Sequence, residues 1–166
     1  MLDFEAKSTQ FGLDLKKVEA ALIALSRKSL LIGIVKDEER QNKYIDNSAL
    51  GFIHEFGAPE VGIPARPILF PTLNDNKEEI QDSLMLAASY AIQGDEEGVD
   101  KTLSSLGIFL VVRVKNRILN SIPPPLAART LRKWITKTKR RIDYGTTPLK
   151  VTAQFLNSFT YALRNR

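Results

Sequence analysis

Apolar side chains in the first part of the chain recur at helical spacing. Six of them lie three, four or seven residues apart and predict one long helix over about residues 3–28. They are Phe4, Phe11, Leu15, Val18, Leu22 and Leu25. A short apolar run from Leu30 to Val35 follows, which is typical of a buried strand. The charged residues Lys36 to Arg40 are expected to form the loop that ends it.

A shorter amphipathic segment comes next. Asn47 or Ser48 can cap a helix with three apolar positions, Leu50, Ile53 and Phe56. Gly57 follows in the position favoured for a left-handed helix cap. Because each proline restricts the residue before it, residues 64–71 are predicted to be extended or to form one helical turn.

Two longer helices are predicted after this segment. Asp75 with Glu78 three residues later resembles a capping box that opens a helix running to about Ile92. Apolar residues from Val99 to Ile122 continue at helical spacing and predict a second long helix. The β-branched cluster from Ile108 to Val114 is also compatible with a strand, but the spacing favours the helix.

The last part of the chain returns to short elements. The three prolines 123–125 end the long helix, and short helices are predicted over 127–135 and 152–157. Alternation over Phe159–Leu163 predicts a strand with one face buried against the strand at Leu30–Val35. The fold class is therefore α+β, with a small, mostly antiparallel sheet packed with two or three long helices in a single domain over 1–166.

Composition narrows the class of protein. At 166 residues, with 43% hydrophobic and 26% charged residues, the chain suits one globular domain with a real core. No apolar run approaches the roughly 20 residues that cross a bilayer, and the N-terminus lacks signal-peptide features. Without cysteine there is no disulfide framework and no thiolate chemistry. We therefore expect synthesis in a cytoplasm and no membrane partner.

Charge is distributed unevenly along the chain. Residues 1–100 hold 18 acidic and 10 basic side chains, a net charge of −8. Residues 101–166 hold 14 basic side chains and one acidic one, a net charge of +13. Such polarity suggests a molecule with two oppositely charged faces, or one whose copies attract each other head to tail. Alternatively, the two halves interleave in the fold and their fields cancel.

Half of the basic residues in 101–166 lie in one segment with aromatic neighbours. It holds seven basic residues and no acid: Arg129, Arg132, Lys133, Lys137, Lys139, Arg140 and Arg141. Trp134 lies inside the segment and Tyr144 follows it. This composition suits non-specific contact with DNA phosphates, docking onto an acidic protein surface, or a solvated loop. No recognition-helix pattern accompanies it, so sequence-specific reading of DNA is not expected.

No pattern of residues predicts an enzyme. His54 is the single histidine, and a zinc-protease helix would need another histidine at position 58, which is Ala58. The glycines are scattered rather than arranged in a phosphate-binding loop. We therefore expect no catalytic residues, no metal and no cofactor, with His54 held at a helix end. Arg66 could bind a carboxylate with its guanidinium fork, within the chain or in a neighbouring copy, or be a surface arginine.

Two segments together resemble a known family. The first contains His54, Glu55, Phe56 and Gly57, and the second contains Pro64, Arg66 and Pro67. The tail-completion and head–tail joining proteins of tailed bacteriophages, including the minor tail protein Z family, typically carry HEFG, a short loop and then IPARPFL. Residues 124–131 resemble the PLSPRTL stretch of that family, and residues 148–161 resemble its closing segment. Val151 and Ala153 replace the usual aspartate and glycine there.

The resemblance covers about residues 50–166 and implies a function. Proteins of this family are virion parts at the head–tail junction or the head-proximal end of the tail. They commonly form sixfold rings around the DNA channel. The implied partners are further copies of the chain and connector, tail-terminator or tail-tube proteins, assembled in the host cytoplasm. The alternative is a small DNA-binding module that uses residues 129–141.

Overall fold

A computed structural model describes residues 15–34, 45–120, 122–125 and 153–165. The helices in these residues are α1 (Leu15–Ser26), α2 (Asn47–Phe56), α3 (Leu69–Asp75), α4 (Lys77–Gln93), α5 (Glu96–Leu119) and α6 (Ala153–Asn157). The strands are β1 (Lys28–Ile34) and β2 (Phe159–Asn165), and a 3₁₀ turn covers Pro59–Val61. The prediction of an α+β domain with a small antiparallel sheet and long helices is confirmed. The β-branched cluster of α5 is helical, as its spacing indicated.

The sheet joins the two ends of the described chain. β1 and β2 pair antiparallel, with Lys28 opposite Asn165 and Ile34 opposite Phe159. β2 lies beside β1, as predicted, but its face of Phe159, Tyr161 and Leu163 does not pack on β1, because the two strands meet edge to edge through their backbones. Both strands contact α5 instead. A two-stranded sheet needs such a helix, because an isolated hairpin is marginally stable in water.

The 24-residue helix α5 organises the core. Its buried positions follow the helical repeat: Val99, Leu103, Leu106, Gly107, Leu110, Val114 and Ile118. The second half of α5 joins Ile68, Ile122, Phe155 and Phe159 in one apolar cluster. Its first half packs with Ala87 of α4 in another. At β1, the Lys28 ammonium pairs with Asp100 of α5 and anchors the start of the strand.

Two helix starts differ from the predictions. Asp46, rather than Asn47 or Ser48, caps α2 by accepting a hydrogen bond from the Ala49 N–H at 2.6 Å. The proposed capping box at Asp75 and Glu78 does not form. Asp75 is the last residue of α3, and Asn76 occupies the N-cap position of α4. The Asp75 carboxylate accepts a hydrogen bond from Arg117 of α5 at 2.8 Å instead.

The apolar stripe of α1 was also predicted incorrectly in part. Leu15 and Leu22 are exposed, whereas Ala21 is buried. α1 packs mainly on α4, and the small Ala21 side chain lies at that contact rather than the larger leucines. No helix in the described ranges is long and apolar enough to cross a membrane. The predicted elements over residues 3–14, 127–135 and 36–40 lie outside the described residues.

Candidate functional site

The segment that resembles the phage family folds into one compact structure, residues 54–70, which we call the clasp. Its first turn depends on Gly57, which has φ 76° and ψ 179°. This is not the left-handed cap that we predicted, but a conformation open essentially to glycine alone. A β-carbon at residue 57 would also lie 2.7 Å from the Ala65 nitrogen. The backbone of the second motif therefore passes directly over Gly57.

The loop between the two motifs is closed by backbone hydrogen bonds. The Ala58 N–H donates to the Ile63 carbonyl at 2.8 Å, and the Ile63 N–H donates back at 3.0 Å. Gly62 closes the 3₁₀ turn between them in the left-handed conformation. Beyond this bridge, the Arg66 N–H donates to the His54 carbonyl at 2.6 Å. The exposed Pro64 and half-buried Pro67 lie on the second arm, where their fixed φ restricts the chain.

Glu55 joins the first motif to the helix that follows the second. Its carboxylate accepts hydrogen bonds from the backbone N–H groups of Ile68 at 2.6 Å, Leu69 at 2.9 Å and Phe70 at 2.9 Å. These groups belong to the first turn of α3, where backbone donors lack partners within the helix. Ile68, at the cap position, has no side chain that could accept them. Glu55 is therefore the N-terminal cap of α3, supplied from thirteen residues earlier in the chain.

Arg66 ties the clasp to the end of the long helical region. Its side chain is buried, and its Nε donates to the Pro124 carbonyl at 2.9 Å. Its Nη2 donates to the Pro125 carbonyl at 3.2 Å. The prediction of a carboxylate partner is therefore corrected, since the fork holds two successive backbone carbonyls. Burial lowers the pKa of the Arg66 guanidinium from its usual value.

This arrangement has a physical reason in the sequence. The carbonyls in the proline run have few backbone donors available nearby, because proline nitrogens carry no hydrogen. The planar guanidinium presents N–H groups in a fixed fork that can satisfy two neighbouring acceptors at once. Arg66 thus fixes the chain directly before the basic segment that begins at Arg129.

His54 has a packing role in the clasp. Its ring meets Phe155 of α6 edge-on, with the centroids 5.5 Å apart. Phe155 in turn meets Phe159 of β2 at 5.3 Å. The histidine therefore links the last turn of α2 to the core beside the sheet, which agrees with a histidine held at a helix end.

Four large apolar side chains remain exposed on the clasp and the adjoining α2, which the sequence analysis did not identify. They are Phe52, Phe56, Val61 and Phe70. Phe52 and Phe56 contact each other, with their ring centroids 4.7 Å apart. The Phe70 N–H donates to the carboxylate of Glu55, the residue before Phe56. The backbone of Phe70 therefore lies close to the end of α2. Exposed apolar patches occur at surfaces that bind proteins, membranes or ligands. The spacing of four between Phe52 and Phe56 was the available signal.

The groups in the clasp are used to hold its backbone. The Glu55 carboxylate caps a helix, and the Arg66 guanidinium binds two carbonyls. Neither group is directed at a second titratable residue in the described ranges. Within those ranges no three His, Cys, Asp or Glu side chains come together in a way that could hold a metal ion. The arrangement is suited to rigid presentation of a surface.

The seven basic residues of 129–141, predicted to contact DNA or a partner, lie outside the described residues. The last described residue before this segment is Pro125. Comparison of the chain with family models, with curated proteins and with solved structures gives no match. The resemblance to phage tail-completion proteins therefore stays a prediction based on the motifs.

Proposed function

We propose that this chain is a non-enzymatic virion structural protein at the head–tail junction or the head-proximal end of a phage tail. It acts by binding: copies associate into a ring, and the ring contacts connector, tail-terminator or tail-tube proteins. The observation that carries the proposal is the clasp itself. One rigid loop is fixed by the residues that resemble the family motif, above all Glu55, Gly57 and Arg66.

The exposed side chains on the clasp add support for a binding role. Phe52, Phe56, Val61 and Phe70 present apolar surface that a monomer gains nothing by exposing. The rigid loop beneath them lowers the entropy cost of association, because little ordering remains when a partner binds. A structural joint in a virion needs this kind of preformed surface.

Particle assembly in the absence of the chain tests the proposal. A phage whose genome lacks the gene for this chain should yield a lysate in which electron microscopy shows unjoined heads and tails, or tails with defective ends. Supplying the intact chain in trans should restore joined particles. Normal infectious particles in its absence would refute the proposal.

The alternative, a DNA-binding module, is favoured by the seven basic residues of 129–141. Titration of duplex-DNA binding against salt distinguishes the two. Contacts to several phosphates give a steep fall of affinity on a log–log plot. We expect a shallow slope for the isolated protein, and a steep slope with tight binding at physiological salt would favour the alternative.

A further inference from the structure

The outer surface of α5 carries a stripe of largely exposed apolar and polar side chains. The stripe residues are spaced alternately four and three apart: Lys101, Ser105, Ile108, Val112, Lys115 and Leu119. They lie opposite the buried face of α5, since they fall half a helical turn from residues such as Leu103 and Leu110. Ile108 is 54% exposed and Val112 is 50% exposed. Alternating four-three spacing is the pattern of a helix that packs along another helix.

The outer surface of α4 has a matching stripe with the opposite charge. Its residues, again spaced four and three apart, are Glu78, Asp82, Met85, Ser89 and Ile92. They lie opposite the buried Ala87, and Met85 is 70% exposed. The α4 stripe therefore combines two acids with apolar side chains, whereas the α5 stripe combines two lysines with apolar side chains.

We propose that the α4 stripe of one copy docks antiparallel on the α5 stripe of a second copy. With Met85 placed against Val112, the two stripes run in register and Asp82 comes opposite Lys115. Met85 then meets Val112 at the centre and Asp82 meets Lys115 beside them, while Ser89 faces Ile108 and Ile92 faces Ser105. This arrangement follows the usual division of an interface into an apolar core and a polar rim.

Charge selects this pairing over the two symmetric ones. Two α5 stripes brought together would place the two Lys115 side chains in one contact without a stripe carboxylate, whereas each Lys101 already pairs with Glu97 of its own helix at 2.7 Å. Two α4 stripes would place four carboxylates there without a stripe base. Like charges across an interface oppose association, whereas the mixed pairing places Asp82 opposite Lys115.

The mixed pairing has a consequence for assembly. Each copy offers one stripe to one neighbour and a different stripe to another, so the contact is heterologous and generates a closed ring or a filament. The inference rests on the proposed self-association of the chain, and it names the surfaces involved. None of the stripe residues belongs to the basic segment or to the clasp.

Site-directed crosslinking tests the contact, and the natural absence of cysteine leaves no background. A copy with Met85→Cys is mixed under mild oxidation with a tagged copy carrying Val112→Cys. The mixture should yield disulfide-linked mixed pairs at least about tenfold above either variant alone, because only mixed pairs bring the two positions together. The double variant in one chain should yield a ladder of linked species.

A matched control uses another exposed apolar position. Ile23 on α1 is 47% exposed and belongs to neither stripe, so Ile23→Cys mixed with Val112→Cys should give no linked pair above background. Crosslinking of the control pair as efficient as that of Met85→Cys with Val112→Cys would mean random collision and would overturn the inference.

Charge reversal tests the register. Asp82→Lys and Lys115→Asp should each lower the mixed crosslinking roughly tenfold or more, and the two changes together in one chain should restore it. Circular dichroism must show the parent fold in each variant. Failure of the mixture to crosslink overturns this contact, even if microscopy shows rings, which would leave the proposed function standing. Normal particles without the chain would refute the function and leave the contact unaffected.

Discussion

The ring of Tyr161 lies directly against the α-carbon of Gly107. A β-carbon placed on residue 107 would come 2.5 Å from Cδ2 of the tyrosine ring, a distance that real β-carbons do not show. This contact joins β2 to the middle of α5, and Leu30 of β1 approaches the same point. A glycine in the interior of a long helix weakens it by roughly 1 kcal/mol relative to alanine. Here it allows the sheet to lie close to the helix.

Replacing Gly107 with alanine should therefore destabilise the protein, despite the better helix propensity of alanine. We expect a loss of about 1–2 kcal/mol in the free energy of unfolding, because the aromatic ring must move. Gly51→Ala is the control, since its β-carbon would come close only to the flexible end of Ile34 and would meet the Phe155 ring at an ordinary 3.9 Å. Urea denaturation should show a smaller change for Gly51→Ala. Equal losses would contradict the contact.

Alanine at Gly57 should be more harmful than alanine at Gly62. Both glycines have positive φ, but Gly57 also lies against the Ala65 backbone, whereas Gly62 faces open space. We expect Gly57→Ala to cost more than about 2 kcal/mol and Gly62→Ala about 1 kcal/mol. Thermal unfolding of the two variants measures the difference, and similar melting temperatures would show that the clasp is not built as described.

Glu55→Gln should loosen α3. The amide keeps one acceptor oxygen but loses the charge and the second oxygen that together hold three N–H groups. The expected cost is about 1–2 kcal/mol, as for other helix caps. Glu60→Gln, in the exposed 3₁₀ turn, is the matched control and should unfold like the parent. Amide hydrogen exchange at residues 68–70 should speed up in the Glu55 variant alone.

Arg66→Lys should weaken the connection between the clasp and Pro124–Pro125. Lysine keeps the charge but cannot present a planar fork to two carbonyls, so we expect a loss of about 1–3 kcal/mol. Arg164→Lys, at an exposed position of β2, is the control. Chemical denaturation of both variants provides the comparison. If Arg66→Lys left the free energy of unfolding unchanged, the two hydrogen bonds of the guanidinium would contribute little to stability.

Replacing Arg140 and Arg141 with glutamate should leave the fold intact and block the joining of heads to tails. This prediction rests on the positive charge of the segment and on the proposed function. High salt should mimic the defect in the parent, because screening weakens contacts between exposed charges. Complementation of a deletion phage, followed by counting of infectious particles, measures the effect. Normal infectivity of the variant would count decisively against a role of this segment in assembly.

Local sequence patterns predicted well those helices and strands that depend on short-range interactions. The helical repeat from Val99 to Ile118 predicted α5, and Gly94 ends α4 with a left-handed cap as a terminal glycine should. The alternation after Phe159 predicted β2. Each of these depends on residues within a few positions of one another, so the sequence contains the relevant information.

The candidate site was only partly predictable for the opposite reason. Glu55 caps a helix that begins at Leu69, and Arg66 binds carbonyls 58 and 59 residues away. Spacing in the sequence indicates neither partner, because a carboxylate or a guanidinium can bind many different polar groups of the chain. The predicted capping box at Asp75 failed because Asp75 is the last residue of α3 and Asn76 holds the N-cap position of α4.

The sequence by itself therefore determined the longer helices, the strands, the fold class and the separation of charge along the chain. It did not determine α3, since residues 64–71 were expected to be extended or to form one turn. Only the tertiary structure decided which side chains meet. It placed Tyr161 on Gly107, brought Glu55 to α3, and left Phe52 and Phe56 exposed although their spacing suits a buried face. The physical reason is that secondary structure follows short-range sterics and hydrogen bonds. Burial and long-range pairing depend on the packing of the whole chain.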